Sequence, residues 1–388
     1  MKFIKLNTPP NTQLKNLGWD WAIGQDTLPY ITNELLQVSE NEAEAYYNAA
    51  NTLYQMLIEA GQYVIDNDKF EALGIPQNLV EAIKYTWNND DHLHLYGRFD
   101  FAGGLENKPI KLIEFNADTA TCIPETAIIQ WASLKTNNLD DQSQFNTLYE
   151  SLIEQFGLLK TLNHNLLPTL LISTLRDFPE DSSNAMVLGE AAKEAGFDVV
   201  YAYIDEVEFS ETEGVFTRIN DIDFLKYDFW FKLIPWESIA WSEPDLANIL
   251  TKMILNNKIK IINPPYTLLF QSKGILKILW QLFPNHPLLL ETDTKPLTNK
   301  KSVQKVLFGR EGANVRILDQ NGNVETEIEG EYEDQKSVYQ AFTDFNQDQS
   351  GNYYQAGVFF VGEGAGLGFR KGGKIIDNTA QFVGHIVG

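Results

Sequence analysis

His92-Leu-His-Leu-Tyr-Gly-Arg-Phe-Asp-Phe-Ala102 and Lys111-Leu-Ile-Glu-Phe-Asn116 alternate apolar and polar residues on either side of the turn-forming Asn107-Lys-Pro109. Two such runs about a short polar turn predict a β-hairpin. Side chains two apart on a strand share a face, so Arg98 points the same way as Asp100, and Glu114 the same way as Asn116. Asp100, Glu114 and Asn116 would then offer three oxygen donors, a set that suits magnesium, which keeps several waters and shares phosphate oxygens. Arg98 beside them is a fixed cation able to meet a transferring phosphoryl group through paired donors. The same spacing also fits a surface hairpin with a polar wet face, and pattern alone does not separate the two. A carboxylate on such a face, Glu114 included, is expected to add little to stability.

Before the hairpin, Ser39 and Glu42 have the spacing of a capping box. Ala43, Tyr46, Tyr47, Ala50, Leu53, Tyr54, Leu57 and Ile58 follow at near-helical spacing, predicting a core-packing helix that stops within residues 61–66. After the hairpin, an apolar run at 166–175, a helix from about 185 to 196 and a strand at 197–204 form a strand–helix–strand unit, the sign of a doubly wound α/β layer. Residues 227–234 and 259–263 are expected to extend that sheet, and Asn263-Pro-Pro265 ends it. In the last third, 272–282 reads as helix. Residues 304–308, with Lys305, read as a strand entering Gly309-Arg-Glu-Gly312. A glycine-rich turn beside a lysine can cradle phosphates, although this spacing is neither a P-loop nor a dinucleotide fingerprint. Residues 353–361 and 367–370 are expected to be antiparallel strands separated by the glycine-rich 362–366.

The chain has 388 residues with 53 acidic and 30 basic side chains, a formal net charge of −23. At roughly 150 residues per domain this length suggests two or three units. The field repels phosphate backbones and anionic lipid, so nucleic-acid and membrane partners are not expected, whereas small cations such as polyamines are attracted. The single cysteine, Cys122, excludes an internal disulfide and fits a reducing compartment. No secretory signal or spanning apolar run is visible, so a cytoplasmic location is expected. His92 and His94 share a strand face in this reading, but two ligands do not make a zinc site. No histidine neighbours Cys122 in sequence, so thiol hydrolase chemistry lacks support. The oligomeric state is left open.

Tyr96-Gly-Arg-Phe-Asp100, then Glu114-Phe-Asn-Ala-Asp118 with Thr119-Ala-Thr-Cys122 and Glu125, resembles the glutathionylspermidine synthase family. The resemblance runs on through Lys273, Lys305, Gly309-Arg-Glu-Gly312, Val338-Tyr-Gln340, Tyr354-Gln-Ala-Gly357 and Phe369-Arg370. The ending Gln381-Phe-Val-Gly-His-Ile-Val387 is similar to the stand-alone branch, where the position of Gly384 is more often proline.

The resemblance implies an α/β (α+β) fold: a circularly permuted ATP-grasp fold with a pre-ATP-grasp doubly wound domain. It would divide as 1–160 (helical region plus metal-binding hairpin), 161–265 (pre-ATP-grasp domain) and 266–388 (nucleotide-binding part). It implies an ATP- and Mg2+-dependent carboxylate–amine ligase working through an acyl phosphate on small-molecule acid and amine substrates. Matched residue by residue, Asp100, Glu114 and Asn116 are the magnesium ligands, and Arg98 meets the transferred phosphate and acyl group. Lys273 and Lys305 hold nucleotide phosphates under a loop bearing Gly309 and Gly312, Gln340 and Gln355 lie on the adenine side, and Arg370 is a late arginine of the active centre. Thr119, Thr121, Cys122 and Glu125 stand where the family binds its acid. Glu180 and Asp181, in the stretch between the apolar strand and the helix after it, resemble an acidic segment facing the amine. The two threonines replace serines of some members, which leaves room for a different acid. No counterpart of the amidase domain of bifunctional members is present in the sequence, so amide hydrolysis is not expected. The alternative is an ATP-grasp-like protein that binds nucleotide without ligation.

Overall fold

The computed structural model describes residues 1–388 apart from 25–28, 140, 221 and 333. Among the described residues the strands form four sheets. The largest runs in the order Lys2–Lys5, Ile31–Val38, Gln381–Val387, Glu363–Gly372, Tyr353–Val361, Gly97–Ala102, Lys111–Asn116, with short Asn346–Gln347 paired to Tyr353–Val361. The predicted hairpin is therefore continued by strands from the far end of the chain. Its register sets Arg98 opposite Asn116 and Asp100 opposite Glu114, with an irregularity after Asp100. Helix Glu40–Asp66 packs on the glycine-bearing strands of this sheet. Its capping box forms as the spacing predicts: the Ser39 side chain accepts from the Glu42 N–H, and the Glu42 carboxylate accepts from the Ser39 N–H.

The second sheet is parallel, in the order Lys260–Ile262, Phe229–Lys232, Thr169–Thr174, Asp198–Tyr203. Helix Pro179–Glu194 makes the crossover between its last two strands, so the expected strand–helix–strand unit forms. The third sheet is antiparallel, in the order Thr292–Asp293, Ser337–Ala341, Ser302–Val306, Val315–Leu318, Val324–Ile328. Val207–Ser210, Gly214–Arg218 and Phe224–Tyr227 form a small fourth sheet.

Three local expectations change. Residues 92–96 are not strand: the Leu95 N–H donates to Asn263 Oδ1 at 2.8 Å instead of to a neighbouring strand. Only Gly362 separates the two late strands, with φ +73°, because Gly364, Gly366 and Gly368 lie inside Glu363–Gly372. A Cβ at Gly368 would sit 2.7 Å from the Phe382 ring, so these glycines serve close packing rather than turning. The helix expected from about residue 185 starts at Pro179, because proline suits the first helical turn, where its missing N–H has no partner to lose. Glu180 and Asp181 therefore belong to that turn and not to a preceding loop.

Candidate active site

The hairpin face carries a network. Arg98 grips Asp100 with two donors, Nε to Oδ1 at 2.7 Å and Nη2 to Oδ2 at 3.1 Å, and its Nη1 donates to the Thr121 carbonyl at 2.7 Å. Gly357, across the sheet, leaves room for this: a Cβ there would lie 3.1 Å from Arg98 Cδ. Asn116 Nδ2 donates to Asp100 Oδ2 at 3.1 Å. Lys273, just before helix Ile275–Leu282, is 3.1 Å from Glu114 Oε2 and donates to the Gly309 carbonyl at 2.7 Å. Lys305 donates to Gln340 Oε1 at 2.8 Å and to the Ile113 carbonyl at 3.2 Å. Glu114 is thus no free wet-face carboxylate. Burial works to raise its pKa, but Lys273, Lys305 and Arg98 hold it below the ordinary range. Burial pushes Lys305 down to about 8, against the opposing charge of Glu114.

These groups face one cavity of about 390 Å³. Its walls bring together Arg98, Asp100, Glu114, Asn116, Thr119, Thr121, Glu180, Asp181, Lys273, Lys305, Gly309, Gly312, Gln340, Gln355 and Arg370. Cys122 and Glu125 are not on its wall but directly behind it: Arg370 Nη1 reaches Cys122 Sγ at 3.7 Å, and Tyr30, which does line the cavity, donates to Glu125 Oε1 at 2.5 Å. Burial pushes the Cys122 thiol up to about 11 and raises the Glu125 carboxyl. Burial, then Glu125, lifts Glu180 to about 7; burial, then Glu311, lifts Asp181 to about 6. A larger groove of about 870 Å³, lined by Met1, Glu42, Asn48 and Lys108 among others, contains none of the residues marked from sequence for metal, nucleotide, acid or amine.

The structure adds residues that the pattern did not single out. Tyr30 precedes the strand Ile31–Val38 with no local signal of a role. Arg310 was visible between two glycines; it donates to Thr119 Oγ1 at 3.0 Å and to Glu237 Oε1 at 2.6 Å. Asp118 stands in the quoted motif, and only the fold reveals its partner, fully buried Lys232 at 3.2 Å. Asn263 donates to the carbonyls of Tyr96 at 3.0 Å and Asp118 at 2.8 Å, tying the start of the hairpin to its exit. His92 and His94 are buried beside Lys260 and Tyr54 respectively, not on a shared strand face.

The donor chemistry fits magnesium. Asp100, Glu114 and Asn116 all line the cavity, and because Asn116 Nδ2 is spent on Asp100, its amide oxygen is left for a cation. No group of three His, Cys, Asp or Glu gathers among the described residues, so a metal here would complete its shell with asparagine, water and phosphate, as magnesium does.

Such a cavity can seat a phosphate chain and a carboxylate among fixed cations, beside a carboxylate pair suited to an ammonium. The class it defines is the ATP-dependent carbon–nitrogen ligases. Comparison with known proteins supplies the family. Residues 1–388 match the family described as glutathionylspermidine synthase preATP-grasp, and the chain belongs to it. It is 29% identical to a Haemophilus influenzae protein named, provisionally, an acid–amine ligase, over 96% of this chain and 95% of that one. It is 26% identical to the bifunctional glutathionylspermidine synthetase/amidase of Escherichia coli, over 88% of this chain and 56% of that one. Trypanothione synthetase of Crithidia fasciculata is also 26% identical, over 84% of this chain and 52% of its own length. The chain therefore spans about half the length of these last two relatives. In fold it is similar to a glutathione synthetase-like effector of Globodera pallida, with a TM-score of 0.56 at 9% identity, covering 98% of both chains. Among the described residues no helix is long and apolar enough to cross a membrane.

Proposed function

We propose that the protein joins a peptide-like acid to a polyamine or another amine, with ATP and Mg2+, through an acyl phosphate. Asp100, Glu114 and Asn116 would hold magnesium, which supplies charge neutralisation of the nucleotide phosphates. Lys273 and Lys305 bind those phosphates under the backbone of residues 309–312. Gln340 and Gln355 flank the adenine, beside the apolar side chains of Leu290, Val303 and Ile317. The acid lies against the hydroxyls of Thr119 and Thr121, which bind a carboxylate without adding charge, with Cys122 and Glu125 behind them. Its oxygen bonds to the γ-phosphorus as the bond to ADP breaks, while Arg98 and Arg370 face the charge that develops. Glu180 and Asp181 hold the ammonium. The ammonium first gives one proton to solvent; its nitrogen then bonds to the acyl carbon, the carbon–oxygen bond to phosphate breaks, and Glu180, with its pKa near neutral, takes the N–H proton released as the amide forms.

We assign the fold as a circularly permuted ATP-grasp arrangement divided at 1–160, 161–265 and 266–388. The pairing of the hairpin with strands from the C-terminal end supports that reading. One observation carries the functional proposal: apart from Cys122 and Glu125, every residue that the sequence marks for metal, nucleotide, acid or amine lines one cavity. The test is an ADP-release screen of acid–amine pairs, with mass spectrometry of the product. An amide product supports the reading. ADP release with a phosphorylated acid and no amide from any amine would replace it with a kinase.

A further inference from the structure

On the other side of Arg310 lies a second pocket, of about 320 Å³. Among the described residues, Arg310 and Pro235 alone line both spaces. Among the described residues, the carboxylates Glu237, Glu331 and Asp334 stand on its wall against one cation, Arg310. Glu237 is only 2% exposed. Arg310 Nη2 satisfies its Oε1 at 2.6 Å, but its Oε2 is buried with no hydrogen-bond partner among the described residues. An orphaned carboxylate oxygen away from water costs free energy that a cationic donor would recover. The rest of the wall is aromatic: Trp241 and Phe308 meet edge-on, with ring centroids 5.6 Å apart and planes at 81°.

Carboxylates beside aromatic faces suit an organic ammonium, which gains from charge, hydrogen bonding and the π-face together. A hard divalent ion would instead want several oxygens converging on one point. The volume is at the small-ligand end of natural pockets, and the net charge of −23 raises the local concentration of cations. We propose that this pocket binds a small alkylammonium, a diamine or polyamine, at a site separate from the reaction cavity. It does not rest on the ligase reading, because binding here requires no turnover.

The test is calorimetric titration of the whole protein, without nucleotide, in a Glu180→Gln, Asp181→Asn background that removes the amine-holding pair of the reaction cavity. The probe is 1,4-diaminobutane, with 1,4-butanediol as its neutral counterpart and Nα-acetyl-lysine amide standing for a lysine side chain. Saturable binding of the diamine and not of the diol is expected. It should weaken at least tenfold with Glu331→Gln plus Asp334→Asn, and likewise with Trp241→Leu. These positions are exposed, so the variants fold, unlike changes at buried Glu237. Absence of diamine binding, equal binding of the diol, or binding indifferent to both sets of substitutions would overturn the proposal. Tighter binding of the lysine derivative would overturn the free amine as occupant. An ADP-release screen that fails while this binding persists would count against the ligase reading alone.

Discussion

Replacing Glu114 with glutamine removes one negative charge from among Lys273, Lys305 and Arg98. Lys273 Nζ lies 3.1 Å from Glu114 Oε2. At an effective dielectric of about 20 the attraction is roughly 332/(20 × 3.1), or about 5 kcal/mol, before the cost of desolvating both groups is subtracted. Breaking one side of a fully buried pair costs about 3–5 kcal/mol. Glu114 keeps 24% of its side chain exposed, so screening should bring the loss to about 1–3 kcal/mol. A second effect follows through Lys305, whose pKa of about 8 already reflects support from Glu114. Without that support it falls further, and at neutral pH part of the ammonium that should bind phosphate is lost. Urea unfolding at pH 7.5 reads the first effect; ATP turnover reads the second together with loss of the metal ligand. We expect kcat/KM for ATP to fall by more than about 100-fold, the upper end of what losing a mere outer-sphere partner costs. Wild-type turnover in a destabilised Glu114→Gln protein would make the pair purely structural and sink the metal assignment. Unchanged stability would refute the ion-pair argument itself.

Lys305→Ala should weaken ATP binding, measured by calorimetry, while leaving affinity for the acid substrate nearly intact; unchanged ATP affinity would count heavily against the nucleotide assignment. Cys122→Ala should retain measurable ligase activity, since burial holds the thiol protonated up to about pH 11 and the acyl phosphate route needs no enzyme thioester. A trapped thioester together with complete loss of activity would reverse that reading. Arg98→Lys should lower kcat much more than it raises the KM for ATP, because lysine cannot reproduce the two-donor grip on Asp100.

The periodic parts of the fold were legible because their sequence signals are local. The capping box at Ser39 appears where expected, and the alternation about residue 107 and the strand–helix–strand pattern near 170–204 give the expected elements with shifted bounds, the first strand starting at Gly97 and the helix at Pro179. What pattern could not supply was side-chain partnership across long sequence separations. Glu114 reads as a wet-face carboxylate until Lys273 is folded against it. Residues 92–96 alternate like a strand, yet the side chain of Asn263 takes the Leu95 N–H. Glycines 364 and 366 read as a loop until the rings and side chains that crowd them are known. Spacing alone left the hairpin open between a metal site and a wet surface. Motif order chose between them, and the shared cavity then gathered residues from every third of the chain. Tyr30 was illegible because its partner Glu125 is distant in sequence and ordinary in context.

Glu180 and Asp181 yield a prediction in which two trends run in opposite directions. In an unfolded chain they ionise near their ordinary values of 4.5 and 3.8; in the fold burial, followed by neighbouring carboxylates, raises them to about 7 and about 6. Between the two sets of values the folded protein holds protons that the unfolded chain has released, so stability falls as pH rises. Their stabilising contribution is whole below about pH 4 and is lost as pH climbs through 6 and 7. Amine binding needs the ionised pair, so the KM for amine should fall over that same climb. Arg310 and Arg370 pull toward ionisation, and the N-terminus of helix Pro179–Glu194 does too, while Glu125 and Glu311 push against it. Glu180→Gln with Asp181→Asn should remove both trends together. The variant should be more stable than wild type at pH 8 with the gap closing toward pH 5, and its KM for amine should be high and flat from pH 6 to 8, with the KM for ATP little changed. Thermal unfolding at the two pH values and initial-rate kinetics across the range measure both. A stability gap independent of pH, with the two KM values rising together, would reduce the pair to ordinary first-turn residues of a helix and remove the amine from this wall of the cavity.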